Sequence, residues 1–310
     1  MDVLLNWLGT LPGAASQGLI WGVMALGLYI TFKILDVADL TVDGSICTGA
    51  AVCVVLVTKG ANIWLAMALA FLAGAAAGLV TGFLHTLLGI PVILAGILTQ
   101  LMLWSVNLLV LGGSNVALTR LKYGDKVLFT SDSSAESIQI YVTLGILFAI
   151  SVVIIAALYW FFGTELGMSL RSTGSNLEMS RAQGINTGFT KVFGLALSNA
   201  IVAFAGALLA QQQASANINM GKGAIVIGLA AIIVGETLLS KATANFAVRL
   251  LFVLVGAIIY WFVYQTVIFL GLPSELLKML SALVVAVFLG VPHLKKQFFS
   301  GKKKGGKTHA

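Results

Sequence analysis

The stretch from Thr164 to Ala210 reads TELGMSLRSTGSNLEMSRAQGINTGFTKVFGLALSNAIVAFAGALLA and contains two kinds of chain. From Lys191 onward it is apolar, and it stays so to Gln213, long enough for one membrane-crossing helix, which needs about 20 apolar residues. Before Lys191 it is crowded with Ser, Thr, Asn, Gly and charge. Such a segment cannot lie in lipid, where every polar group needs a partner inside the protein. A chain that joins these two kinds of segment crosses a membrane and carries structured polar connectors.

The rest of the sequence repeats the pattern. Of its 310 residues, 59% are hydrophobic and 9% charged, with a mean hydropathy of +1.02. A soluble domain carries about 25% charge, so a water-facing surface cannot be built from this composition. Apolar runs occur near 17–36, 44–59, 62–84, 89–111, 138–162, 191–213, 222–240, 247–271 and 277–292. The fold class that follows is an all-α polytopic integral membrane protein with about nine, and between eight and ten, transmembrane helices. Residues 1–292 read as a single transmembrane domain and 293–310 as a basic, disordered tail. The first apolar run lacks the basic residues that precede the core of a cleaved signal peptide.

Charge sets the orientation, because Lys and Arg gather on the cytoplasmic side. Six lysines lie in the C-terminal tail, which is therefore placed in the cytoplasm of a cell-membrane protein of bacterial type. With nine spans, twelve of the 18 Lys and Arg lie inside. The net charge of +7 comes mostly from that tail and gives no footprint for nucleic acid. Cys47 and Cys53 read as small buried apolar residues. No nucleophile stands beside a base and no residue spacing suits a metal, so the chain has no catalytic or metal-binding residues of its own.

Two polar segments interrupt the spans, 112–137 outside and 163–190 inside. Within the second, Gly174 to Asn186 reads as one helix. Ser175 or Asn176 supplies the N-cap and Glu178 sits in the first turn. Leu177, Ser180, Arg181 and Gly184 share a face, and Gly184 followed by Asn186 forms the C-terminal stop. This helix lacks the bulky apolar residues of a lipid anchor and suits a groove on another protein.

These residues carry a resemblance. Gly167, Leu170, Arg171, Gly174, Asn176, Ala182, Gly184, Ile185 and Asn186, followed by Leu197, Ser198, Ala203, Ala205, Gly206 and Leu208, resemble the coupling region of permease subunits of ATP-binding-cassette importers. The similar family includes the branched-chain amino acid and ribose permeases. VADLTVDGSICTGAAV at Val37 to Val52, Gly113, and the stretch beginning GKGAIVIGLAAIIVGETLL at Gly221 agree in the same order. Gly235-Glu236 and Lys241 to Asn245 depart from the family pattern, which marks a divergent, amino-acid-type branch.

The resemblance implies a small solute, with aromatic and branched-chain amino acids in view, delivered by an extracytoplasmic binding protein that lands on 112–137. It implies a pair of permeases, a homodimer in the simplest case, and two ATP-binding subunits gripping the 174–187 helix. The sequence has no Gly-x-x-x-x-Gly-Lys-Ser/Thr phosphate loop, so ATP and Mg²⁺ belong to the partner. An ion-coupled carrier and a sugar importer remain as alternatives.

Polar groups inside spans are costly and face protein or water. On that ground Thr41, Asp43, Ser45, Gln100, Asn107, Ser198 and Asn199 are candidates for the translocation pathway. Asp36, Asp39 and Asp43 read as a water-exposed loop or a helix start. The segment Val37–Ser45 either lies at the surface or re-enters the membrane, where its helix N-terminus would meet a solute carboxylate. Glu236 either pairs with Lys241 or faces the ATPase.

Overall fold

The computed structural model describes residues 2–118, 129, 136–239 and 245–270, with isolated positions 279, 282, 283, 286 and 290. Helix α1, Asp2–Tyr29, runs into a π-helical turn, Ile30–Ile34. Then come α2 (Val42–Thr58), α3 (Ile63–Thr86), α4 (Val92–Leu111) and α5 (Glu136–Phe161). Two short polar helices follow, α6 (Glu165–Ser175) and α7 (Leu177–Ala182). The order closes with α8 (Thr187–Gln213), α9 (Ala224–Leu239) and α10 (Phe246–Phe269). Among the described residues the only strands are β1 (Asn115–Ala117) and β2 (Ser215–Asn217), paired antiparallel with Val116 opposite Ala216.

Among the described residues, six helical stretches are long and apolar enough to cross a membrane: Trp7–Ile34, Ile63–Thr86, Val92–Leu111, Gln139–Phe161, Thr187–Gln213 and Phe246–Phe269. Helices α2 and α9 are apolar but shorter, 17 and 16 residues. Eight of the nine expected spans therefore coincide with apolar helices. The ninth, 277–292, lies mostly outside the described residues, as do the tail 293–310 and most of the 112–137 segment.

Burial divides the helices into two layers. In α1 and α8, 83% of the spanning stretch is buried, whereas in α4 and α5 the figures are 22% and 17%. The outer helices turn large apolar side chains outward, among them Leu101, Leu109, Val153 and Trp160. Such a surface is untenable in water and ordinary in lipid.

Helix α8 is central because glycines let its neighbours reach its backbone. A Cβ added at Gly49 of α2 would overlap the Ala203 carbonyl, and one at Gly206 would overlap that of Ile46. On α3, Gly74 and Gly78 abut the Asn199 and Leu195 carbonyls, and Gly82 meets Val192. The small residues of α3 thus pack within one chain. Lipid tails are as apolar as leucine, so helices associate in membranes through close packing rather than water exclusion.

Replacing Gly78 by Val should therefore abolish a monodisperse peak in detergent size-exclusion chromatography. Gly145→Val on α5, where the space beyond the glycine is open, should leave the profile unchanged.

Candidate functional site

Two places gather the residues singled out from the sequence: the region where α2 and α9 begin, and the segment between α5 and α8.

At the first, the chain leaves the π turn through Asp36, which has a positive φ of 54°, and runs extended to Thr41. Asp39 is fully buried, contrary to the water-exposed reading. Its Oδ1 accepts from the Thr41 backbone N–H at 2.9 Å and its Oδ2 from Asn199 Nδ2 at 2.6 Å. Asn199 also donates to the Leu195 carbonyl, and its Oδ1 accepts from Ser45 Oγ at 2.6 Å. Thr41 Oγ1 and Thr81 Oγ1 share a hydrogen bond of 2.7 Å. Asp39, Thr41, Ser45, Thr81 and Asn199 are all 0% exposed. A buried polar network of this kind is tolerable only when its members are satisfied, and it fixes α2, α3 and α8 in one register.

Asp43, in the first turn of α2, reaches across to α9. Its carboxylate accepts from the Gly223 and Ile225 backbone N–H groups, each at 3.0 Å. Helix N-termini carry partial positive charge and unpaired N–H groups. The start of α2 is met by Asp39 and that of α9 by Asp43. The helix start that the sequence reading offers to a solute carboxylate is thus met by the chain's own acids.

Beside Asp43 lies a cavity of about 260 Å³. It is lined by Asp43, Gly44 and Cys47 of α2, by Gln100, Leu101, Trp104 and Asn107 of α4, and by Ile218 and Lys222 of the connector before α9. Asn107 donates weakly to the Gly44 carbonyl at 3.4 Å, and its buried Oδ1 has no partner. Of the candidate pathway residues, Asp43, Gln100 and Asn107 line this cavity. Thr41, Ser45 and Asn199 are joined in the buried network, and Ser198 donates to the Gly27 carbonyl at 2.8 Å, tying α8 to α1. Trp104 escaped the sequence reading, which sought only polar groups. Its signal was its register, since Gln100, Trp104 and Asn107 fall on one helix face.

At the second place the single expected helix is broken. Gly174 belongs to α6, where a Cβ would overlap the Ile34 carbonyl, and Asn176 is extended. The proximity of the Gly174 backbone to the π turn holds α6 down, and the chain must restart after it. Three side chains mark the three helix starts: Thr164 Oγ1 accepts from Gly167 N, Asn176 Oδ1 from Met179 N, and Asn186 Oδ1 from Phe189 N. Asn186 therefore opens α8 instead of closing the helix before it. Gly184, with φ of +81°, makes the turn out of α7, as the left-handed region favours.

The short α7 is anchored on its inner side. Ser180 is buried and hydrogen-bonded to Ser172 at 2.8 Å, and Arg181 Nε donates to Thr187 Oγ1 at 3.1 Å. Leu177 and Ile185 are half-buried. Glu178, Met179 and Arg181 face outward, Glu178 and Arg181 forming only a loose exposed pair at 3.5 Å. Glu236 bonds Lys33 at 2.9 Å; Lys241, the partner offered by the sequence, lies outside the described residues.

The family model described as branched-chain amino acid transport system / permease component matches residues 11–289. A tyrosine transport system permease protein of Clostridioides difficile is 39% identical over 90% of each chain. A Rickettsia prowazekii protein of uncharacterized function is 30% identical over 92% of this chain and 97% of its own. The ribose import permease protein RbsC of Escherichia coli K12 is 26% identical over 88% and 82%. No solved structure matches the chain.

Replacing Asn199 by Ala should strand Asp39 and Ser45 without their shared partner. Removing one hydrogen bond to a charged group costs about 2 kcal/mol, so the melting temperature in detergent should fall by several degrees.

Proposed function

The chain belongs to the family of branched-chain amino acid transport permeases, and on that footing we propose that it carries an amino acid with an aromatic side chain across the cell membrane. It is the permease component of an ATP-binding-cassette importer. The observation that carries the substrate class is the cavity beside Asp43. Trp104 offers a ring to stack on, Lys222 a cation for a carboxylate, and Gln100 and Asn107 offer amide groups. The Asn107 Oδ1 is an unused buried acceptor suited to a ligand N–H. The 39% identity to a tyrosine transport permease supports the same reading.

Energy comes from elsewhere. ATP and Mg²⁺ bind to separate ATPase subunits that dock on residues 174–187, and Glu178, Met179 and Arg181 are the side chains offered to them. Because Glu178 and Arg181 hold each other weakly, both are free to pair with a partner. A second copy of the chain completes the pathway, a soluble binding protein delivers the solute to the outer segment 112–137, and the C-terminus is cytoplasmic.

The test is uptake of radiolabelled tyrosine into proteoliposomes holding the chain with its ATPase and binding protein. Trp104→Ala should raise KM roughly fivefold, since an aromatic pair contributes about 1 kcal/mol. Competition by ribose and none by phenylalanine or tyrosine would overturn the amino-acid reading. Exchanging Glu178→Lys and Met179→Glu together, both exposed, should lower solute-stimulated ATP hydrolysis while the melting temperature of the isolated chain stays put. An unchanged coupled rate would remove both residues from the docking role.

A further inference from the structure

A second cavity, of about 330 Å³, opens where the inner ends of α1 and α10 meet α6. Its polar lining is cationic: Lys33 from the π turn, Arg171 from α6 and Arg249 from α10, with Tyr29, Ser175 and Phe246 beside them. The transport reading uses none of the three cations; Gly174 and Ser175, at the cavity's edge, begin the docking segment 174–187.

The charges there are not balanced. Lys33 is paired with Glu236. Neither Arg171 nor Arg249 has a carboxylate partner among the described residues. Arg171 is held in place by rings, its Cζ 4.1 Å from the Phe246 centroid and 5.2 Å from that of Phe162. Burial pushes the Arg171 pKa below its ordinary value; the Arg249 charge adds to that effect and Tyr29 opposes it. Two guanidinium groups facing one cavity without a counter-charge form a site waiting for an anion, and planar guanidinium groups bind phosphate oxygens in pairs.

Position selects the kind of anion. Lys33 lies in the last turn of the first spanning stretch, Trp7–Ile34, and Arg249 in the first turn of the last, Phe246–Phe269. The cavity is therefore at the depth of lipid headgroups. Leu251 on α10 and Leu238 at the inner end of α9 are exposed apolar side chains at that level, where acyl chains would run. Basic pockets between spanning helices on the cytoplasmic side suit anionic lipid headgroups.

We propose that Lys33, Arg171 and Arg249 form a binding site for the phosphate of an anionic phospholipid, which ties α6 to the inner ends of α1 and α10. The lipid neutralises the pair of arginines and bridges the three elements that carry these cations. The segment it ties down leads directly into α7.

The experiment uses the full chain, purified and delipidated in detergent, with lipid retention read by native mass spectrometry and stability by thermal melting. Dioleoylphosphatidylglycerol should be retained and should raise the melting temperature. Dioleoylphosphatidylcholine should do neither. Arg249→Gln, which alters an exposed side chain, should weaken phosphatidylglycerol retention roughly tenfold, as expected for a lost charged hydrogen bond. Arg171→Gln with Arg249→Gln should abolish it, while melting without lipid certifies the fold of each variant. Equal retention of the two lipids, or unchanged retention in Arg249→Gln, would overturn the site. Equal stabilisation by inorganic phosphate would make the ligand a soluble anion and end the lipid assignment. Expulsion of the lipid when the ATPase subunits assemble would give the cavity to an acidic side chain of that partner.

Discussion

The close approach of backbone to backbone around α8 is the constraint on which the rest depends. In lipid, apolar surface gains little by leaving the tails, so a bundle needs close packing and internal hydrogen bonds to hold together. Gly49, Gly74, Gly78 and Gly206 supply the first. The second follows from it: only because α2 and α3 come so near can Ser45 reach Asn199 and Thr41 reach Thr81. The same nearness buries Val37 and Asp39 of the non-helical stretch 36–39, where the Asp39 carboxylate takes the Thr41 backbone N–H and is itself met by the Asn199 side chain.

That geometry explains why two apolar helices are short. Helix α2 begins inside the bundle, with Thr41 and Val42 fully buried, and α9 begins at its edge beside exposed Gly223; each start presents partial positive charge and free N–H groups that an acid can meet. Asp39 and Asp43 serve those two starts, one each. The two acids are thereby engaged in structure, and beside Asp43 the cavity presents two neutral amides, one ring and one lysine.

Much of this was written plainly in the sequence. Apolar runs located eight helices because their signal is local and long. Small residues at Gly74, Gly78 and Gly82 announced close packing, and three of the polar residues named inside spans, Asp43, Gln100 and Asn107, line one cavity. What stayed hidden was pairing. Asp39 and Asn199 are 160 positions apart, as are many partners in a bundle, and one sequence carries no signal for such a bond. Glu236 lay near Lys241 in sequence but bonds Lys33, 203 residues away. Trp104 was passed over because a tryptophan in a span looks like lipid-facing surface. Asn176 was legible as an N-cap and caps α7; what stayed hidden was that Gly174 and Ser175 belong to the helix before it, where Gly174 lies against the Ile34 carbonyl, a tertiary contact.

The remaining step is how a push on α7 would reach the cavity. The described contacts offer one stiff route. Arg181 bonds Thr187 at the start of α8, and Thr173 of α6 bonds Thr190 one turn further. From Thr187 to Asn199 is ~18 Å of continuous helix, and Asn199 is where α8 grips Asp39 and Ser45. Ser45 is two residues beyond Asp43, whose carboxylate holds the start of α9 and borders the cavity. A tilt of α8 would therefore strain the bonds that keep the two interrupted helices registered, and those bonds break more readily than the glycine contacts can slide. Coupling of this kind needs no flexible element along its length, only a rigid rod and a polar joint at its far end.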